Sequence, residues 1–215
     1  MPSIPSATVG RLVTYLRVLD TFADQGVARA SSDDLAREAH VSAFQVRKDL
    51  AYFGRFGTRG AGYDVDALAT ELHRILGLET AWNVAIIGMG RLGSALADYP
   101  NMARYNFCLR AAFDVAPAKI GTVVAGVPVY AMEELPTRAR ELDVQVALLT
   151  VPGEGAQAAT EALADAGVRG VVNFASTVLD PPAGVHVEAI DFLAGLKRVS
   201  YALHAEKSDD ERAAG

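Results

Sequence analysis

The sequence predicts an α/β protein: an N-terminal winged helix-turn-helix, then a Rossmann-type, mainly parallel sheet, then one more helix. Three observations predict it. Up to about Gly77-Leu78-Glu79, apolar residues recur with the 3.6-residue period of helices. Beyond that point, apolar runs of five to eight residues alternate with helical segments, as in βαβ units. Between the two patterns of the second part lies Gly88-Met89-Gly90-Arg91-Leu92-Gly93, a glycine-rich turn at a strand-to-helix junction. The expected divisions are 1–78, 79–190 and 191–215.

In the first part, Leu12, Tyr15, Leu16, Leu19, Phe22 and Ala23 fall on one helical face. Ser31 can cap a helix that opens Ser32-Asp33-Asp34-Leu35, with its acidic residues in the favourable first turn. The turn His40-Val41-Ser42 leads into a second helix over Ala43–Phe53. Ser42 and Gln45 have capping-box spacing there, and Val41 and Val46 that of a hydrophobic staple. Val46, Leu50 and Phe53 make its buried stripe, and Gly54 ends it. The segment Gly57-Thr58-Arg59-Gly60-Ala61-Gly62-Tyr63 suits a tight two-stranded ribbon, and Asp66–Leu76 closes the unit as a helix. In the second part six strands are expected, over 83–88, 108–114, 127–130, 144–151, 170–174 and 186–190. The last segment carries Phe192, Leu193, Leu196, Val199 and Leu203 on one helical face.

The glycine turn follows the apolar run Val84-Ala85-Ile86-Ile87 and opens a helix, the setting in which GxGxxG binds a dinucleotide. Gly88 permits the sharp turn, Gly90 admits a pyrophosphate to the backbone, and Gly93 lets helix and strand pack closely. Free amides and positive partial charge at the helix start favour the anion, and Arg91 adds a cation. Asp114 lies 21 residues after Gly93, at the end of the second strand, where a ribose-binding carboxylate is expected. Val115-Ala116-Pro117 follow it, with no Arg for a 2′-phosphate, so NAD(H) is favoured over NADP(H).

The start of the second helix of a helix-turn-helix reads base edges. Gln45, Arg47 and Lys48 suit that place: Gln pairs with adenine, Arg with guanine, and Lys neutralises phosphate. Arg59 in the glycine-rich ribbon fits a narrow minor groove. Net charge is −6, but it is uneven. Residues 1–78 hold nine Lys/Arg and nine Asp/Glu, while 79–215 hold eleven and seventeen. Within Ser42–Tyr63, Arg47, Lys48, Arg55 and Arg59 face only Asp49, a local +3. Screening over roughly 8 Å makes that local patch count for more than the total.

The chain is 51 % hydrophobic and 21 % charged, ordinary for a globular protein. No run of 18 apolar residues reads as a membrane span, and the first five residues have no secretory character, so a cytoplasmic protein is expected. The lone Cys108 makes no internal disulfide, and four scattered histidines lack metal-ligand spacing, so no metal is expected.

Several motifs together resemble the redox-sensing repressor family Rex. They are Val41-Ser42-Ala43-Phe44-Gln45-Val46-Arg47-Lys48-Asp49-Leu50, Tyr52-Phe53-Gly54, Gly57-Thr58-Arg59-Gly60, the glycine turn, and Asp191-Phe192. The resemblance spans about Pro5 to His204 and combines two independent motif sets in the right order. It implies a homodimer whose C-terminal helix is exchanged between subunits, facing a palindromic operator in double-stranded DNA. It implies that the NAD⁺-bound or ligand-free dimer holds DNA near respiratory and fermentative genes, and that NADH closes it into a form that lets go. The DNA-contact set it points to is Ser42, Gln45, Arg47, Lys48, Arg59 and Gly60. The cofactor set is Gly88, Gly90, Arg91, Leu92, Gly93, Asp114, Tyr99 and Phe192, with Phe192 beside the nicotinamide. Arg17, Tyr99 and Asp191 match the family's coupling network.

Two other readings share the dinucleotide motif. A dehydrogenase would need a substrate domain and an acid/base pair, and His40, His73, His186 and His204 supply no convincing one. A coenzyme-A-binding module with a helical interaction domain is the second, and Asp114 argues against it.

Overall fold

The computed structural model describes residues 4–54, 56–57 and 62–213, with side chains up to Glu206. The chain divides into two compact units, 1–80 and 81–215.

The first unit begins with α1 (Ser6–Asp24), which buries Leu12, Tyr15, Leu16, Val18 and Leu19. Phe22 is only half-buried and Ala23 is exposed, so the buried stripe stops a turn before the sequence pattern does. The short strand β1 (Arg29–Ala30) precedes α2 (Ser32–Glu38). Ser31 caps α2 through a reciprocal box with Asp34, which satisfies the orphan amides of the first turn. At the other end His40 takes the left-handed conformation (φ 54°), while the amides of His40 and Val41 donate to the carbonyls of Arg37 and Ala36. This Schellman turn sets the angle at which α3 (Ala43–Ala51) departs.

β2 (Tyr63–Asp64) and α4 (Val65–Ile75) complete the unit, with α4 packed on α1 and α2 packed on α3. Of the ribbon expected within Gly57–Tyr63, the described residues place Tyr63 in β2. β2 pairs antiparallel with β1, in the register Arg29↔Asp64 and Ala30↔Tyr63. Thr58, Arg59, Gly60 and Ala61 lie outside the described residues.

The second unit is a seven-stranded sheet with helices. In chain order come β3 (Trp82–Ile87), α5 (Arg91–Ala97), β4 (Phe107–Asp114), β5 (Val123–Val124), β6 (Val127–Ala131) and α6 (Leu135–Glu141). β7 (Val146–Leu149), α7 (Gly153–Asp165), β8 (Gly170–Asn173), β9 (His186–Ala189) and α8 (Phe192–Ala213) follow. The spatial order is β5-β6-β4-β3-β7-β8-β9, parallel throughout except for β5 on β6. The six expected strands are present, and β5 is an edge strand that the sequence pattern did not disclose. Without it the order is that of a doubly wound dinucleotide-binding sheet, whose direction reverses between β3 and β7.

β3 shows why its residues read as one apolar run. Ala85 and Ile87 pack into the core cluster that includes Leu135 and Ala139 of α6 and Leu163 of α7. Ile86 faces the cluster holding Met89 and Val129, against which Leu96 and Ala97 of α5 pack. A central parallel strand covered on both faces needs no polar alternation.

Candidate functional site

The glycine turn sits at the carboxyl edge of β3, where the sheet order reverses. Gly88 has φ 93°, and a Cβ there would stand 2.9 Å from Val151 and 3.1 Å from the backbone of Thr150, just past β7. A Cβ on Gly93, which is buried in α5, would collide with the Gly88 carbonyl oxygen. These two glycines therefore let the turn close and the helix meet the strand. Gly90 differs: nothing lies within 4 Å of its added Cβ. It caps α5 with no side-chain hydrogen bond and no acidic residue in the first turn, leaving backbone amides and open space for an anion. Arg91 and Leu92 are exposed at the same turn. The Thr150 hydroxyl donates to the Gly88 carbonyl (2.6 Å), with the Ile87 carbonyl oxygen 3.0 Å away, and so ties β7 to the turn. This brace was not legible in the sequence, because only the β3–β7 adjacency creates it.

Asp114 ends β4 and is 6 % exposed. Its Oδ2 accepts from the Met89 amide (2.7 Å) and from Lys119 Nζ (2.9 Å), and its Oδ1 accepts from the Ala116 amide (2.8 Å). Burial pushes its carboxyl up, but the Lys119 ammonium and the two amides together outweigh burial and hold it below the usual carboxylate range. The carboxylate thus lies on the glycine turn, where the motif spacing expected it. Lys119 was missed: it follows five residues later, and only a turn brings it back. The donor set, the open Gly90 and the ionised Asp114 fit a dinucleotide.

α3 is the second helix of the helix-turn-helix, the element expected to read bases. The Ser42 hydroxyl accepts from the Gln45 amide (3.1 Å), but the capping box is one-sided. The Gln45 side chain does not reach back to Ser42; its Nε2 donates to Asp49 Oδ1 (2.8 Å). Arg47 Nη1 donates to the Ser32 hydroxyl (2.8 Å), and both Arg47 and Lys48 are exposed. Arg59 and Gly60 lie outside the described residues.

Asp49, in sequence only a charge opposing the neighbouring cations, is completely buried. Arg11 donates to it twice, from Nε to Oδ2 (2.6 Å) and from Nη2 to Oδ1 (2.8 Å). The Tyr15 hydroxyl donates to Oδ2 (2.9 Å) and the Thr8 hydroxyl to Oδ1 (3.3 Å). Burial raises the Asp49 carboxyl, yet Arg11, Tyr15 and Gln45 reverse that and hold it ionised. Burial and the Asp49 bond push the Tyr15 phenol far above its ordinary range. A carboxylate at the inward position of an otherwise apolar helix stripe was the available signal.

Of the remaining expected residues, Arg17 is exposed on α1 in the first unit, in a shallow groove with Phe22, Gln25 and Glu38. Tyr99 is exposed just after α5. Asp191 Oδ1 accepts from the Ala194 amide and caps α8, and no hydrogen bond joins it to Tyr99 among the described residues. Phe192 opens α8 and is exposed.

The chain is 51 % identical to a redox-sensing transcriptional repressor Rex from Thermus thermophilus, over 97 % of this chain and 98 % of that one. It is 51 % identical to the Rex of Deinococcus radiodurans, over 92 % of each chain. This chain belongs to the Rex family. Solved structures agree across both units. The crystal structure of RSP in complex with β-NAD⁺ and operator DNA matches with a TM-score of 0.91 at 33 % identity, covering 98 % of this chain and 97 % of that chain. RSP in complex with β-NADH matches with a TM-score of 0.89 at 31 % identity, covering 98 % and 99 %.

Family models divide the chain in the same way. "Putative DNA-binding protein N-terminus" matches residues 3–51 and "CoA binding domain" matches 79–177. In a Rex-family chain the second match reflects a shared Rossmann-like sheet, so the coenzyme A reading falls. The dehydrogenase reading falls with it, because Rex proteins are repressors.

Among the described residues, no group of three or more His, Cys, Asp or Glu is arranged to hold a metal ion. No described helix is long and apolar enough to cross a membrane.

Proposed function

We propose that this chain is a redox-sensing transcriptional repressor that binds operator DNA and releases it when NADH binds. The observation that carries this is the pairing, in one chain, of a glycine turn at the switch point of a doubly wound sheet with an exposed cationic recognition helix. Gly88, Gly90, Arg91, Leu92 and Gly93 form the turn that holds the pyrophosphate, with Gly90 and Arg91 facing it, and Asp114 takes the adenosine ribose. Ser42, Gln45, Arg47, Lys48, Arg59 and Gly60 form the DNA-contact set. Arg47 and Lys48 project outward as that role requires.

The working form is a homodimer joined by α8, exchanged between subunits, and the segment from 191 onward acts as a separate element. What supports this is the apolar stripe of Phe192, Leu193, Leu196, Val199 and Leu203, all exposed on one helix. A stripe of that kind is covered by a partner in the working protein, and a second copy supplies one under two-fold symmetry. Two recognition helices related by that symmetry read a palindrome. Phe192 and Tyr99 contact the nicotinamide end, and Arg17, Tyr99 and Asp191 carry the cofactor state to the DNA-binding unit. The protein acts in the cytoplasm, where its operator and the NADH pool meet.

The test is an anisotropy titration of a palindromic A·T-rich duplex with increasing NADH or NAD⁺. NADH releases the DNA and NAD⁺ does not. By linkage, the duplex weakens NADH binding by the same factor that NADH weakens the duplex. Equal release by both cofactors, or by neither, overturns the reading.

A further inference from the structure

Phe44 stands at the second position of α3 and is 68 % exposed. At about 100° per residue, Val46, Asp49 and Leu50 define the inward side of the helix, and all three are buried. Phe44 points almost directly away from them. Arg47 and Lys48, one turn later, flank it on either side, and Ala51 continues the same stripe. Two polar residues beside it are tied back within the protein: the Ser42 hydroxyl to the Gln45 amide and the Gln45 side chain to Asp49. At the centre of the face offered to DNA stands an apolar ring between two cations.

We propose that Phe44 reads the 5-methyl group of a thymine in the major groove. Thymine alone among the four bases presents a methyl group there, and an apolar side chain recognises it by contact. The first turn of a recognition helix is the part that meets base edges. Arg47 and Lys48 supply hydrogen bonds and phosphate neutralisation around that contact, so the helix distinguishes thymine without a further polar group. The inference rests on operator binding by α3 and deepens it to a base and an atom.

The probe is the duplex that the wild-type protein selects from a randomised pool without NADH. It is resynthesised with deoxyuridine for thymine, one symmetry-related pair at a time. Removing the contacted methyl weakens the wild type about fourfold per half-site, or about fifteenfold for the pair. The Phe44→Ala protein binds the thymine and deoxyuridine duplexes equally, at the wild-type affinity for the deoxyuridine duplex. Its salt dependence is unchanged because no phosphate contact is lost, and its helical circular dichroism and NADH affinity are those of the wild type. Phe44→Leu retains part of the preference for thymine.

Indifference of the wild type to every methyl overturns the inference. So does a Phe44→Ala protein weakened equally on both duplexes, the signature of a ring packed on sugar or on protein. If the wild type selects no duplex at all, operator binding itself falls, a result distinct from either of these.

Discussion

Among the described residues each unit buries one aspartate, and the two are held in opposite ways. Asp49 is gripped by side chains from another helix: Arg11, Tyr15 and Thr8 of α1, with Gln45 from its own helix. Asp114 is gripped mainly by backbone amides of turns, at Met89 and Ala116, and by one lysine that is 40 % exposed. The first arrangement fixes a helix on a helix, and its carboxylate has no surface left for a ligand. The second shapes a loop while keeping a part-exposed cation at the rim, the partner that a ribose hydroxyl replaces under the proposed function. A buried carboxylate is thus a clamp in the first unit and, under the proposed function, a binding group in the second. The difference lies in the exposure of its partners.

The largest effect is expected on breaking the clamp. In Asp49→Ala, Arg11 and the buried Tyr15 hydroxyl lose their acceptor, which costs about 3 kcal/mol. Denaturant unfolding followed by circular dichroism is expected to show an early loss of helix and no operator binding. The single tryptophan, Trp82, lies on β3. Its fluorescence transition, and NADH affinity with it, stay near wild type. If both transitions shift together, Asp49 does not serve the first unit alone.

A smaller effect follows from Asp114→Ala, which removes charge-assisted bonds worth about 2 kcal/mol, or about thirtyfold in NADH affinity by calorimetry. Operator affinity without NADH is unchanged. Unaltered NADH binding would move the ribose contact elsewhere.

The smallest effect is on acid stability. Asp49 is held below its unfolded value of about 3.9, so the unfolded chain takes up the proton first as pH falls. Its stabilising contribution is therefore complete above about pH 5 and disappears as pH falls through the folded value. Asp49→Asn is expected to be less stable at neutral pH, with a shallower loss between pH 5 and pH 3. A variant that tracks the wild type in parallel would show that other carboxylates set the acid limb.

The sequence by itself determined the fold class, the six parallel strands, the glycine turn and the carboxylate at the end of β4. All of these are local patterns: a period, a tight turn and a fixed spacing. It also marked Ser31 and Ser42 as caps, since a cap involves residues three apart. The spatial order of the strands, the hold of Thr150 on the turn, the return of Lys119 to Asp114 and the grip of α1 on Asp49 were decided by tertiary structure. Each joins residues through packing rather than through spacing. Gln45 shows where the line falls: its position allowed both a reciprocal cap and a partner one turn later. A charged acceptor already ordered by Arg11 and Tyr15 attracts its amide more strongly than the start of the helix does.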